Sequence, residues 1–84
     1  MKVTLKLYAM LSDYLPDAAR KSNALELELD AGTTPAQLIA GQNLPLKLCH
    51  LVLVDGVFIP PATRATRPLV DGETLAIWPP IAGG

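Results

Sequence analysis

Apolar and polar residues alternate from the start of the chain. Val3, Leu5, Leu7 and Ala9 interleave with Lys2, Thr4, Lys6 and Tyr8. A period of two predicts a strand with one buried face. Met10, Leu11, Tyr14 and Leu15 follow at helical spacing, which predicts a short helix ended by Pro16. Asp17 to Asn23 is polar and reads as a loop. Leu25, Leu27 and Leu29 then alternate with Glu26, Glu28 and Asp30. Leucine is a modest strand former, but strict alternation with carboxylates outweighs that preference and predicts a second half-buried strand.

Ala31-Gly32 reads as a turn. Thr33 or Thr34 can cap a helix that starts at Pro35, a position where the missing N–H costs nothing. The helix continues through Ala40, with Gly41 expected to close it, and 42–48 is expected to extend irregularly around Pro45. Leu51 to Val54 is apolar throughout, which suits a strand covered on both sides. Asp55-Gly56 is a hairpin signal, because both central positions of the favoured two-residue turn need positive φ. The return strand is expected over 57–60, a loop bearing Arg64 and Arg67 over 61–68, and a second tight turn at Asp71-Gly72. Thr74 to Trp78 is the last strand, with Leu75 and Ile77 on one face and Ala76 and Trp78 on the other, stopped by Pro79. The order β, short helix, β, α, β, β, β predicts an α+β domain, a sheet with its helix packed on one face.

Composition sharpens this picture. The 84 residues make one small domain, expected to span 1–84 with 79–84 as an extended tail. Aromatics are 5% of the chain, so aliphatic side chains must build the interior. Net charge is −1 and the seven basic residues are scattered, which argues against a nucleic-acid-binding face. The single cysteine, Cys49, rules out an internal disulfide and suits a reducing cytoplasm, the expected location. Thr4 and Lys6 interrupt the apolar residues that a secretory leader would keep unbroken, and no stretch approaches membrane-spanning length.

Side-chain catalysis finds little support. His50 has no second ligand type at metal spacing, so no metal site is expected. Cys49 and His50 are adjacent, and on a strand they would point to opposite faces, which defeats a nucleophile–base pair. Cys49 reads as a packed thiol and His50 as a surface residue. The eight carboxylates fall on turns and on the polar face of the second strand. The glycines at 32, 41, 56 and 72 each have a turn or helix-end role.

The ending WPPIAGG is different. A terminal pair of glycines arises by chance in about 1 chain in 200 at average glycine usage, so the glycines alone carry little. The context does more. Pro79 and Pro80 make a stiff exit from the strand and project the last four residues as an extended arm. Ile81, Ala82, Gly83 and Gly84 offer no polar side chain, so the reactive group of the arm is the α-carboxylate of Gly84. Gly83-Gly84 has no Cβ and can thread a channel that excludes any larger residue.

The turn VDGETLAIWPP, the ending PPIAGG and the opening VTLKLYAMLSDYL resemble the ubiquitin-like β-grasp sulfur carriers of the MoaD/ThiS family, most closely the small-subunit branch of molybdopterin synthase. The resemblance covers essentially the whole chain. It implies a β-grasp fold, a mixed sheet of about five strands with one main helix on one face. It also implies a carrier without catalytic residues or a bound cofactor of its own. An adenylating enzyme of the ubiquitin-activating (MoeB/ThiF-like) type would use MgATP to convert the Gly84 carboxylate to an acyl-adenylate. Sulfur from a persulfide donor protein would displace AMP and leave a thiocarboxylate. That group would then give its sulfur to a precursor held by a MoaE-like large subunit or another acceptor enzyme. Pro79, Pro80, Ile81, Ala82 and Gly83 would form the threading arm. Tyr8, Phe58, Ile59 and Trp78 would form the partner-binding face, Tyr8 by its place on the less apolar side of the first strand; the pattern alone leaves Phe58 open between core and surface. Alternatives within the same fold are a carrier for thiamin or another sulfur metabolite, a protein modifier conjugated through Gly84, and an interaction domain with an inert tail. Neither nucleic acid nor membrane is an expected partner.

Overall fold

The structure is a computed structural model and describes residues 1–80. Its strands are β1 (Lys2–Leu7), β2 (Ala24–Glu28), β3 (Leu51–Val54), β4 (Val57–Phe58) and β5 (Thr74–Trp78). Its α-helices are α1 (Asp17–Arg20) and α2 (Pro35–Gly41), and three 3-10 segments cover Ala9–Tyr14, Leu46–Leu48 and Pro61–Thr63. The strands form one mixed sheet in the order β2-β1-β5-β3-β4, with β1 and β5 parallel and the other neighbours antiparallel. The first and last strands therefore meet at the middle of the sheet. This is the α+β arrangement expected, five strands with one main helix.

The alternation in β1, β3 and β5 sends Val3, Leu5, Leu7, Val52, Val54, Leu75 and Ile77 to one face, where all are buried. Leu38 and Ile39 of α2 pack on them, with Leu11, Leu15, Ala19, Leu44, Cys49, Ile59 and Leu69 completing the core. Each buried aliphatic side chain contributes about 1.5–3 kcal/mol. Leu25, Leu27 and Leu29 are only partly buried, because β2 is an edge strand.

Five local expectations change. Ala9 does not prolong β1: its φ is +53°, and there the chain swings into a helical turn. That turn is 3-10 over Ala9–Tyr14, with the Leu11 N–H donating to the Tyr8 carbonyl and the Leu15 N–H to Ser12. Leu11 and Leu15 enter the core, whereas Met10 and Tyr14 stay exposed. The polar 17–23 stretch is not all loop, since Asp17–Arg20 forms one α-turn held by a 2.8 Å Arg20–Asp17 ion pair and by Arg20 donating to the Leu15 and Asp13 carbonyls. Gly41 is the last residue of α2, as expected, but it does not supply the left-handed cap. Asn43 takes the left-handed position at φ +58°, and the Asn43 and Leu44 N–H groups bond to the Ala40 and Ile39 carbonyls. An asparagine tolerates that conformation nearly as well as glycine, so α2 ends at Gly41 and a double-bonded cap follows over 42–44.

The fourth and fifth changes bear on function. β3 is covered on one side only: Val52 and Val54 are buried, but Leu51 is 37% exposed and Leu53 half-buried, because among the described residues no layer covers the outer face of the sheet. The return strand is shorter than 57–60. Only Val57 and Phe58 pair fully, the Ile59 N–H adds one bond to Val52, and Pro60 and Pro61 have no N–H with which to continue. The Asp55-Gly56 turn itself is as expected, with φ +47° and +83°.

Candidate functional site

β5 carries the site. The His50 N–H donates to the Trp78 carbonyl at 3.1 Å, and the Tyr8 N–H donates to the Ile77 carbonyl at 3.2 Å. Pro79 and Pro80 come next and lack N–H groups, so the strand must leave the sheet there. Pro79 is buried and Pro80 is exposed. The chain thus exits between the end of β1 and the start of β3. Ile81, Ala82, Gly83 and Gly84, the threading arm and terminal carboxylate expected from sequence, lie outside the described residues.

At this exit the rings of Tyr8 and Trp78 stack in parallel, their centroids 4.3 Å apart and their planes 8° from each other. Tyr8 holds the extended backbone of β1 for one more residue, and so keeps its place on the outer face. Register carries the apolar strip onward. Leu51 lies opposite Trp78, Leu53 opposite Ala76, and Phe58 opposite Leu53. The outer face therefore divides in two. Lys2, Thr4, Lys6, Glu26 and Glu28 make a charged half on β1 and β2, whereas Tyr8, Trp78, Ala76, Leu51, Leu53 and Phe58 make an apolar half beside the exit. A contiguous apolar surface rimmed by charge is the physical mark of a docking site.

Of the four partner-facing residues expected from sequence, this face brings together Tyr8, Trp78 and Phe58. Phe58 is 47% exposed and sits under the Arg64 guanidinium, 5.9 Å from its ring centroid. Ile59 does not belong with them. It is 7% exposed and joins the core, since one step along the strand from Phe58 turns its side chain to the inner face. Leu51 and Leu53 were missed as surface residues. Their signal was present in the hairpin: the Asp55-Gly56 turn fixes Leu53 opposite Phe58, so the two share a face and a fate.

Arg64 was also missed. Its Nε donates to the Ile59 carbonyl at 2.9 Å, and its two terminal nitrogens donate to the carbonyls of Cys49 and His50 at 3.1 and 3.2 Å. It thereby ties the start of β3 to the end of β4. Cys49 is buried and its Sγ donates to the Pro45 carbonyl at 3.4 Å. Burial pushes its thiol pKa up, against a smaller opposite pull from Arg64. A thiol kept protonated in this way is a poor nucleophile. His50 is exposed. Among the described residues no three His, Cys, Asp or Glu side chains gather as a metal site, and no helix is long and apolar enough to cross a membrane. What this geometry offers is an exposed apolar strip beside the point where the chain leaves the sheet.

The sequence matches the ThiS family over residues 14–84. The chain belongs to the ThiS family. Family membership sets the coarse function, that of a small sulfur carrier or ubiquitin-like protein, and ThiS-family carriers are not themselves enzymes. Solved structures agree on the β-grasp fold. SAMP1 from Haloferax volcanii is 19% identical with a TM-score of 0.68, each chain covered in full. The Haloferax volcanii HVO 2177 protein is 18% identical with a TM-score of 0.74, covering all of this chain and 87% of the other. A chain from the complex of subunits 1 and 2 of molybdopterin-converting factor from Helicobacter pylori is 19% identical with a TM-score of 0.62, both chains covered in full. No curated protein matches the sequence.

Proposed function

We propose that this ThiS-family chain is a sulfur carrier of the molybdopterin-synthase type, acting through the carboxylate of Gly84. The observation that supports it is the placing of the Pro79-Pro80 exit against the apolar half of the outer face, beside the Tyr8–Trp78 stack. A partner that docks on this face meets the Pro79-Pro80 exit at a fixed point.

Carboxylates are poor electrophiles until one oxygen becomes a leaving group. In this reading an adenylating enzyme supplies that group from MgATP, releasing pyrophosphate and forming an acyl-adenylate at Gly84. A donor persulfide attacks the acyl carbon, the C–O bond to AMP breaks and a C–S bond forms. A thiol of the donor then cleaves the acyl disulfide, which leaves the carrier as a thiocarboxylate and the donor as a disulfide. The thiocarboxylate is a tethered sulfur nucleophile, delivered to a precursor in a large-subunit partner. The likeness in fold to a chain of the molybdopterin-converting factor complex supports that partner. The carrier supplies no acid, base or cofactor; ATP and magnesium belong to the activating enzyme, and the reaction suits the cytoplasm.

A second acceptor, a thiamin precursor or another sulfur metabolite, is favoured by the family match being to ThiS. Intact-mass spectrometry after incubation with the cognate adenylating enzyme, MgATP and a persulfide source tests the shared chemistry. The expected product is heavier by the exchange of one oxygen for sulfur and is absent when Gly83-Gly84 is deleted. Failure to form it overturns the carrier reading, and chains linked instead to lysines point to a modifier. Sulfur transfer in the presence of each candidate acceptor enzyme then separates the two pathways.

A further inference from the structure

Behind the start of β3, on the side of the sheet away from the docking face, lies a cavity of about 440 Å³. Ala36 and Ile39 of α2, Leu46, Pro61 and Ala65 give it an apolar lining, and Lys47, His50 and Arg64 also border it, with Cys49 in the wall. We infer that it is a binding site for a small organic anion, a compact apolar ring or branched chain bearing one carboxylate, sulfonate or phosphate group. The inference does not depend on the sulfur-carrier reading.

Charge gives the first argument. The chain has a net charge of −1, yet among the described residues no carboxylate borders the cavity, while two of its seven Lys and Arg residues and its single histidine do. Among the described residues the carboxylate-paired cations are the amino terminus, Lys2, Arg20 and Arg67. Lys47 and Arg64 are not among them. Arg64 has committed three of its five N–H bonds to carbonyls, so it is held in place with two left for an anion.

The second argument is that the walls are tied to one another. The Ala36 N–H donates to the Arg64 carbonyl at 2.9 Å, joining α2 to the 61–65 segment. The Arg64 side chain joins that segment to the Cys49 and His50 backbone. The Cys49 N–H donates to Leu46 at 3.0 Å, which fixes the remaining wall. Sites for small molecules are commonly pre-formed, about 300–1,000 Å³ in volume and mostly apolar with a few fixed polar groups. The volume and lining also explain the apolar body of the ligand: inorganic phosphate would satisfy the cations and leave the space beside Ile39 and Pro61 unused.

Titration of the ¹⁵N-labelled protein with phenyl phosphate, inorganic phosphate, benzyl alcohol and benzylamine tests the site. Phenyl phosphate is expected to shift the amides of Ala36, Lys47, His50, Arg64 and Ala65 saturably, and to bind about fivefold or more tightly than the other three probes. Lys47→Glu, at an exposed position, is expected to weaken it about fivefold, the scale of replacing one exposed attraction by repulsion. Ala65→Trp, also at an exposed position, is expected to plug the cavity and abolish the shifts. Unchanged dispersion of the remaining amides verifies that both variants are folded. Equal binding of benzyl alcohol or inorganic phosphate, shifts confined to Trp78 and Phe58, or insensitivity to both substitutions would each overturn the inference.

Discussion

Arg64 shows what a single side chain in a loop can hold. Its guanidinium accounts for three backbone carbonyls at the start of β3 and the end of β4, and lies over the Phe58 ring. Arg64→Met keeps the apolar stem and removes the donors. It should lower stability by about 2 kcal/mol in urea unfolding, since carbonyls at a partly buried junction lose charge-assisted bonds. Glu73 makes a second case. It takes two bonds from Arg67 at 2.8 and 2.7 Å and one from the Val70 N–H at 2.6 Å, and these hold its carboxyl below the usual range despite an opposing effect of burial. A depressed native pKa stabilises the fold above the unfolded value, and that contribution is lost as pH falls through the native one. Wild type should therefore exceed Glu73→Gln by about 1 kcal/mol near neutral pH. The gap should narrow below about pH 4.3 and close beneath the depressed native value, as read by denaturant unfolding along a pH series. A gap constant to low pH would mean that the carboxylate charge contributes nothing. Neither arginine could be assigned a partner from sequence, because its reach crosses 14 residues in one case and turns back within a loop in the other.

At the level of elements, legibility followed how local the cause was. The hairpin at Asp55-Gly56 and the start of α2 are decided by adjacent residues, and both were readable. Thr34 accepts from the Gln37 N–H while the Gln37 side chain accepts from the Thr34 N–H, a reciprocal cap with Pro35 at the first helical position. Thr34→Ala should cost about 1 kcal/mol in thermal or chemical unfolding. Thr34→Ser, which keeps the oxygen, should retain most of that stability. By contrast, β3 looked buried on both sides because four apolar residues in a row carry no period. Which face of it meets a helix depends on how many layers the domain has, a property of the whole chain. Gly41 does end α2, but the left-handed turn falls two residues later, at Asn43, where it lets Leu44 reach the core.

Over the whole molecule the sheet assigns its two faces to different tasks. The inner face holds the domain together, and among the described residues no layer covers the apolar part of the outer face near the chain's exit. Phe58 and Ile59 are neighbours in sequence but stand on opposite sides of this division, so substitutions at the two probe the faces separately. Phe58→Ser removes a half-exposed ring from an edge strand and should cost only about 1 kcal/mol of stability. If the apolar strip is the docking surface, the same change should lower kcat/KM for adenylation at least about tenfold, the scale of losing one aromatic anchor. Ile59→Ala should behave in the opposite sense. It should cost about 2–4 kcal/mol of stability through the cavity it leaves, and the folded fraction should still be adenylated at the wild-type rate. Unfolding curves and adenylation kinetics on both variants read the two effects separately. A Phe58→Ser protein activated as fast as wild type would remove the outer face from the docking role and return this strip to an uncovered surface of the sheet.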